Sequence, residues 1–242
     1  MEYSPDYILS FLSKILQGEQ VNDLINALMK IQETDTPQTH LLSLLVMDTL
    51  ILTSEEVASK CHEQALDLCY LIQNLEDECL VQRTLILIED IAKYRTELLA
   101  EKTDALLSNV LPFLQSESSE IANEAAQAVN VLIYNTDTSV DLIKVISVTA
   151  VQMLKEQSAV YPVSLFYILN SCLYYIKQEF DPLPFLQLFR AWVNPKDLDV
   201  ATIALESLGL LYRLQYERLK DCIKEDMALI LGVMELNEPK LL

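Results

Sequence analysis

The sequence predicts an all-α protein, and three observations predict it. Apolar residues recur at helical spacing along nearly the whole chain, with scarcely any of the period-two alternation that marks strands. Helix start signals punctuate that pattern. Ser4-Pro5, Thr36-Pro37, Asp181-Pro182 and Asn194-Pro195 each pair a capping residue with a proline at the first helical position, where a missing N–H costs nothing, and Thr53 with Glu56 has capping-box spacing. The third observation is a pattern of apolar and small residues that returns in every second helix with a period of about 40 residues.

This punctuation places about twelve helices, near 5–17, 20–33, 37–52, 54–73, 77–95, 98–114, 118–135, 138–155, 160–178, 182–192, 195–214 and 217–235. Their linkers are short, as in stacked helical hairpins. Residues 1–33 read as an N-terminal cap, repeats run to 235, and 236–242 resembles the start of a further repeat, giving a single solenoid domain over 1–242. Leu241 follows Val200 by 41 residues, so the chain is expected to be the N-terminal part of a longer protein.

The repeated pattern is two adjacent apolar or small residues, two more at offsets four and five, and one at offset eight. It reads Leu41-Leu42, Leu45-Val46, Thr49; Leu80-Val81, Thr84-Leu85, Ile88; Ile121-Ala122, Ala125-Ala126, Val129; Val160-Tyr161, Ser164-Leu165, Ile168; and Val200-Ala201, Ala204-Leu205, Leu208. A small residue at offset four in four copies lets a neighbouring helix come close. Within this frame, Val110-Leu111-Pro112-Phe113-Leu114, a polar turn over 115–120 and Ile121 to Val129 resemble a HEAT repeat, and 194–211 is similar to its second half. Asn123 and Thr202 stand near the place where HEAT repeats commonly carry arginine, and Asn130 is one position off the asparagine of armadillo repeats. The resemblance is therefore to HEAT/armadillo-like α-solenoids as a group. It implies a right-handed α-α superhelix whose second helices line the concave surface.

Composition narrows the function. Of 242 residues 51% are hydrophobic, ample for a core, and 17 Lys and Arg against 36 Asp and Glu give a net charge of −19. That balance opposes direct binding to nucleic acid or an anionic membrane. The three glycines, Gly18, Gly209 and Gly232, are isolated, which excludes P-loop, dinucleotide and nucleophile-elbow motifs. Five cysteines without framework spacing, and an N-terminus lacking a signal peptide, fit the cytoplasm or nucleus. Residues 157–176 carry no charge over about a membrane span, but their polar residues and repeat register favour a doubly buried helix.

Candidate chemistry is sparse. His40 and His62 are the only histidines, too few for a triad or a zincin motif. Cys61, His62, Cys69 and Cys79 raise a zinc site, but the close cysteine pairs of structural zinc are absent and buried free thiols are favoured. Glu76-Asp77-Glu78 and Glu89-Asp90 read as solvated turns and faces, and no EF-hand loop occurs. No cofactor or metal is expected, and no enzyme.

What remains is a surface. If offsets 0, 1, 4, 5 and 8 face the core, helical geometry turns offsets 2, 6, 9 and 13 outward. The expected partner-binding residues are Met47, Ile86, Asn123, Gln127, Asn130, Phe166, Asn170 and Glu206. The opposing possibility is that Met47, Ile86 and Phe166 are covered by neighbouring helices. The expected function is a non-catalytic scaffold or adaptor that binds a polypeptide segment, Lys/Arg-rich or amphipathic, along the second helices. The alternatives are a structural segment of a larger assembly joined through its end faces, with self-association through the C-terminal end, and a nuclear-transport-like cargo adaptor. A tubulin-binding HEAT domain is disfavoured, because its turns are generally basic.

Overall fold

The computed structural model describes residues 37–53, 55–99, 102–156, 162–176, 180–193 and 197–237, helical throughout apart from short connections, with no strand among the described residues. The helices expected over 5–17 and 20–33, the cap over 1–33 and the segment 238–242 lie outside them. The chain divides into two compact units, Met1–Asp137 and Thr138–Leu242.

In the first unit, α1 (Pro37–Thr53) starts on its proline and carries apolar residues on every side. Thr53 is the last residue of this helix, and its Oγ1 donates to the Thr49 carbonyl at 2.7 Å. α2 (Glu55–Tyr70) sets Glu55 and Glu56 over its positive end and runs into a 3-10 turn, Leu71–Asn74. α3 (Glu78–Tyr94) is capped by Asp77, whose Oδ1 accepts from the Leu80 N–H at 3.1 Å. α4 (Thr103–Val110) is shorter than the helix predicted over 98–114. Pro112 has no N–H to extend the ladder, and Leu111–Gln115 tightens into a 3-10 turn, as does Thr96–Leu98 ahead of α4. α5 (Ser119–Asn135) completes the unit.

Helices α1, α3 and α5 pack side by side as a row, α2 lies against α1 and α3, and α4 with the Leu111–Gln115 turn lies against α5. Three buried residue pairs recur in each helix of the row: Ser43-Leu44, Val46-Met47 and Leu50-Ile51 in α1; Thr84-Leu85, Leu87-Ile88 and Ile91-Ala92 in α3, which buries Leu80-Val81 besides; Ala125-Ala126, Ala128-Val129 and Leu132-Ile133 in α5. Counterparts in neighbouring helices are 41 residues apart. The leading residue is small each time, and the Thr84 hydroxyl is satisfied within its own helix by the Leu80 carbonyl at 2.8 Å.

The expected register holds in α3 and α5 but is displaced by two residues in α1, where Leu42 is exposed and Leu41, Leu45 and Thr49 are half-buried. A helix that is apolar all round carries no polar stripe to fix its rotation, so α1 turns to bring Ser43 and Met47 inward.

In the second unit, α6 (Val140–Lys155) is capped by Ser139, whose Oγ accepts from the Leu142 N–H at 3.4 Å. α7 (Pro162–Ile176) begins on a proline. α8 (Leu183–Trp192) follows Asp181, whose Oδ1 accepts from the Leu183 N–H at 3.2 Å, in keeping with the Asp181-Pro182 start. α9 (Leu198–Leu219) starts later than predicted, capped by Asp197 through the Val200 N–H at 3.2 Å; Asn194-Pro195 lies outside the described residues. The break expected after 214 is a kink at Gln215 (φ −128, ψ 32), and α10 (Ile223–Asn237) follows a 3-10 turn, Lys220–Cys222.

Here α7 packs on α6 and α9, and α8 packs on α9. The core is aromatic: Phe166 lies 5.7 Å from Phe189 and 6.2 Å from Trp192, centroid to centroid, and Phe185 joins Phe189 to Phe180. α7 buries Leu165-Phe166, Ile168-Leu169 and Cys172-Leu173, one residue on from the expected register, while Val200, Ala201, Ala204 and Leu208 of α9 are buried as expected. The described part of the uncharged segment offers no charge to set the rotation of α7, and the ring contacts of Phe166 set it. No described helix is long and apolar enough to cross a membrane.

A polar latch ties α10 to α8 and α9. Arg190 Nε donates to Asp226 Oδ1, Tyr212 Oη donates to Asp226 Oδ2, and Arg190 Nη2 reaches the Cys222 carbonyl at 3.4 Å. Asp226 is only 3% exposed, and these donors satisfy its carboxylate oxygens.

Candidate functional site

The solvent side of the α1, α3, α5 row is a ladder in which each rung takes one residue from each helix, 41 positions apart. Successive rungs are Leu42, Arg83, Glu124; Leu45, Ile86, Gln127; Asp48, Glu89, Asn130; Thr49, Asp90, Val131; and Leu52, Lys93, Tyr134. Leu52 and Tyr134 are exposed, whereas Leu45, Ile86, Asn130 and Val131 are half-buried. Apolar anchors thus alternate with amides and charges over a dry aliphatic core.

Polar groups approach one another across the seams of this face. Asp48 of α1 lies near enough to Asp90 of α3 to interact with it electrostatically, as Gln82 of α3 does to Glu124 of α5. Within α3, Lys93 pairs with Glu89, a carboxylate only 8% exposed. Burial, with the charge of Asp90 next, pushes Asp48 up to about 7. Burial also raises Asp90, and burial followed by the charge of Glu89 raises Glu124. Repulsion among these acids adds to burial in raising Asp48 and Glu124, while the charges of Arg83 and Lys93 oppose it.

The sequence-predicted contact residues divide. Ile86, Asn123 and Asn130 are half-buried on this face, and Gln127 is exposed on it. Met47 is a correction: it is fully enclosed, because the two-residue turn of α1 gives its outward place to Leu45. In the second unit Phe166 is likewise fully enclosed among Phe189 and Trp192, and Tyr167, 49% exposed, takes the outward place. Glu206 is exposed on α9, and Asn170 is half-buried with its Oδ1 enclosed and without a hydrogen-bond partner. Glu89-Asp90 is a further correction, since burial and interhelix contact replace the solvated face expected there. Glu76, Asp77 and Glu78 are exposed, as expected of a turn. The Asp48–Asp90 pair was legible only as two acids 42 residues apart, a signal that appears once the burial register of α1 is known.

The remaining candidates hold no convergent chemistry. Cys61 and Cys69 are buried on α2 and Cys172 on α7; burial pushes Cys61 up to about 11 and Cys172 up to about 12, which keeps both thiols protonated at neutral pH. His62 Nδ1 donates to the Ser59 carbonyl at 2.8 Å, and no cluster of three or more metal-ligating side chains occurs among the described residues. A cleft of about 440 Å³ in the second unit is lined by Trp192, Leu188, Gln187, Pro184, Lys155 and Asp197 among others, a lining without a histidine or cysteine.

No family model matches this chain, and no curated protein is significantly similar to it. Among solved structures, it is similar to an engineered protein whose crystal structure was determined by the Northeast Structural Genomics Consortium, with a TM-score of 0.47 and 13% identity over 88% of this chain and 98% of that one. A likeness of this size defines no family and lends no function.

Proposed function

We propose that the chain is a HEAT/armadillo-like α-solenoid, a non-catalytic scaffold or adaptor of the cytoplasm or nucleus, and that the α1, α3, α5 face binds a Lys/Arg-rich or amphipathic polypeptide segment. The observation that carries this reading is the ladder, whose rungs keep a constant 41-residue offset and set apolar anchors among carboxylates and amides. Charge supports it further: Met1–Asp137 holds twenty-three Asp and Glu against seven Lys and Arg, whereas Thr138–Leu242 holds thirteen against ten. A basic segment is steered to the first unit, and the attraction weakens as salt screens it. Binding of a synthetic amphipathic Lys/Arg-rich peptide, compared with its Glu-substituted counterpart at 50 and 500 mM salt, tests the reading. Preference for the basic peptide, lost at high salt and in Ile86→Arg, is expected; equal binding of both peptides contradicts it.

A second reading, assembly through α10, is supported by Met227 and Leu231, exposed one turn apart. Concentration-dependent sedimentation that is lost in Met227→Glu with Leu231→Glu would favour it.

A further inference from the structure

We propose that α10 is a separable arm, held closed on α8 and α9 by the Asp226 carboxylate and able to open as a unit while the rest of the second unit stays folded. Two helices supply the donors that meet at this one side chain, Arg190 from the last turn of α8 and Tyr212 from α9. Arg190 Nε donates to Asp226 Oδ1, its Nη2 lies 3.4 Å from Glu225 Oε2 and the same distance from the Cys222 carbonyl, and Tyr212 Oη donates to Asp226 Oδ2. Charge-assisted bonds of this kind are about twice as strong as neutral ones, and here they fix the arm at one point.

Apolar burial contributes little along the same stretch. From Ile223 to Leu231, Asp226 is the only buried residue: Ile223, Leu229 and Ile230 are half-buried, and Met227 and Leu231 are 48% and 52% exposed. In α9, by contrast, Val200, Ala201, Ile203, Ala204, Leu208 and Leu211 are all enclosed. A helix whose buried group is a carboxylate, rather than a row of aliphatic side chains, opens at a lower free-energy cost than the core it lies on.

The backbone marks where the arm opens. The helical ladder is interrupted at Gln215 and again at the 3-10 turn Lys220–Cys222. Between these two places the chain is tied to the body: Leu219 is fully enclosed, and Arg218 Nη1 donates to the Phe180 carbonyl at 2.7 Å. The turn Lys220–Cys222 is therefore the hinge, and the chain before it stays in place. Opening uncovers the Arg190 guanidinium and the Tyr212 hydroxyl, independently of whether the α1, α3, α5 face binds a peptide.

Hydrogen exchange of the full chain tests the arm, in wild type, Asp226→Asn, Tyr212→Phe and, as a control, Asp221→Asn, an exposed carboxyl on the hinge turn. In wild type, residues 223–231 are expected to be at least about tenfold less protected than 198–211, and low urea should speed exchange in α9 but hardly in α10, because opening the arm exposes little surface. Protection over 223–231 should fall about a hundredfold in Asp226→Asn and about tenfold in Tyr212→Phe, with 198–211 remaining the better protected segment and Asp221→Asn matching wild type. Equal protection and equal urea dependence of the two segments in wild type mean one cooperative unit and overturn the proposal. So does protection over 223–231 that is indifferent to Asp226→Asn and Tyr212→Phe, or that falls equally in Asp221→Asn. If Asp226→Asn does not fold, the wild-type urea series and Tyr212→Phe are judged by the same outcomes.

Discussion

The first unit encloses aliphatic and small side chains, Ser43, Thr84 and Ala125 among them, whereas the second is centred on Phe166, Phe185, Phe189 and Trp192. Charge is divided just as unequally. The first unit carries most of the net negative charge, and the second is nearly balanced and ties part of its charge into the Arg190, Asp226, Tyr212 latch and the 3.9 Å Arg218–Asp181 contact. Small residues let the helices of the row lie side by side and leave their outer positions as one continuous ladder. Large rings instead bind α7, α8 and α9 through their own bulk. The difference teaches that the sequence pattern of a helix and the chemistry of its exposed side are set separately: helices with similar buried patterns present an acidic face in one unit and tyrosines in the other.

The largest expected effect breaks the aromatic side of this comparison. Phe166→Ala should cost about 3–5 kcal/mol, because it removes a fully enclosed ring that has two ring neighbours. Trp192 is the only tryptophan and belongs to the second unit, so its fluorescence in a urea titration follows that unit alone. Next comes the latch. Asp226→Asn should cost about 3 kcal/mol by leaving Arg190 without its buried counter-charge, read from the same fluorescence. An unchanged midpoint would show that the latch contributes nothing.

Overpacking sharpens the comparison from the other side. Ala125→Leu should cost about 1–3 kcal/mol, since Ala125 is fully enclosed where α5 meets its neighbours, and Ala204→Leu should behave alike in the second unit. Helicity melts that match wild type for both would mean that neither helix is closely approached. The smallest effect should be a gain. A methyl group added at Gly209, mid-helix in α9, meets nothing within 4 Å, so Gly209→Ala should stabilise by about 0.5–1 kcal/mol in the same fluorescence titration.

Much of the fold was legible because its signals are local. Asp181 heads α8 where its pairing with Pro182 predicts a start, and the burial of α3 and α5 follows the paired pattern since polar residues such as Gln82, Arg83, Asn123 and Gln127 mark the opposite side; the caps Asp77, Ser139 and Asp197 carried no proline signal and emerge from the structure. The same pattern failed where no polar stripe exists. α1 and α7 are apolar around most of their circumference, so their rotation is decided by neighbours that sequence spacing does not reveal, and Met47 and Phe166 were placed outward for that reason. The candidate face inherited both results: Ile86, Asn123, Gln127 and Asn130 came from the legible helices, whereas Leu45, Tyr167 and the Asp48–Asp90 pair emerge only once the helices are packed. Pro112 was visible throughout, but its consequence for α4 depended on whether the chain bent or tightened there.

Recognition through the row of α1, α3 and α5 is tested most directly by placing a photo-crosslinking residue at Gln127, exposed on the ladder, and separately at Ser108, exposed on α4 in the other layer. The full chain is irradiated with the amphipathic Lys/Arg-rich peptide at 50 and 500 mM salt. A crosslink from position 127 that fades at high salt, with little from position 108, is the predicted result. Equal crosslinking from both positions, or a yield at 127 indifferent to salt, would contradict recognition by this face.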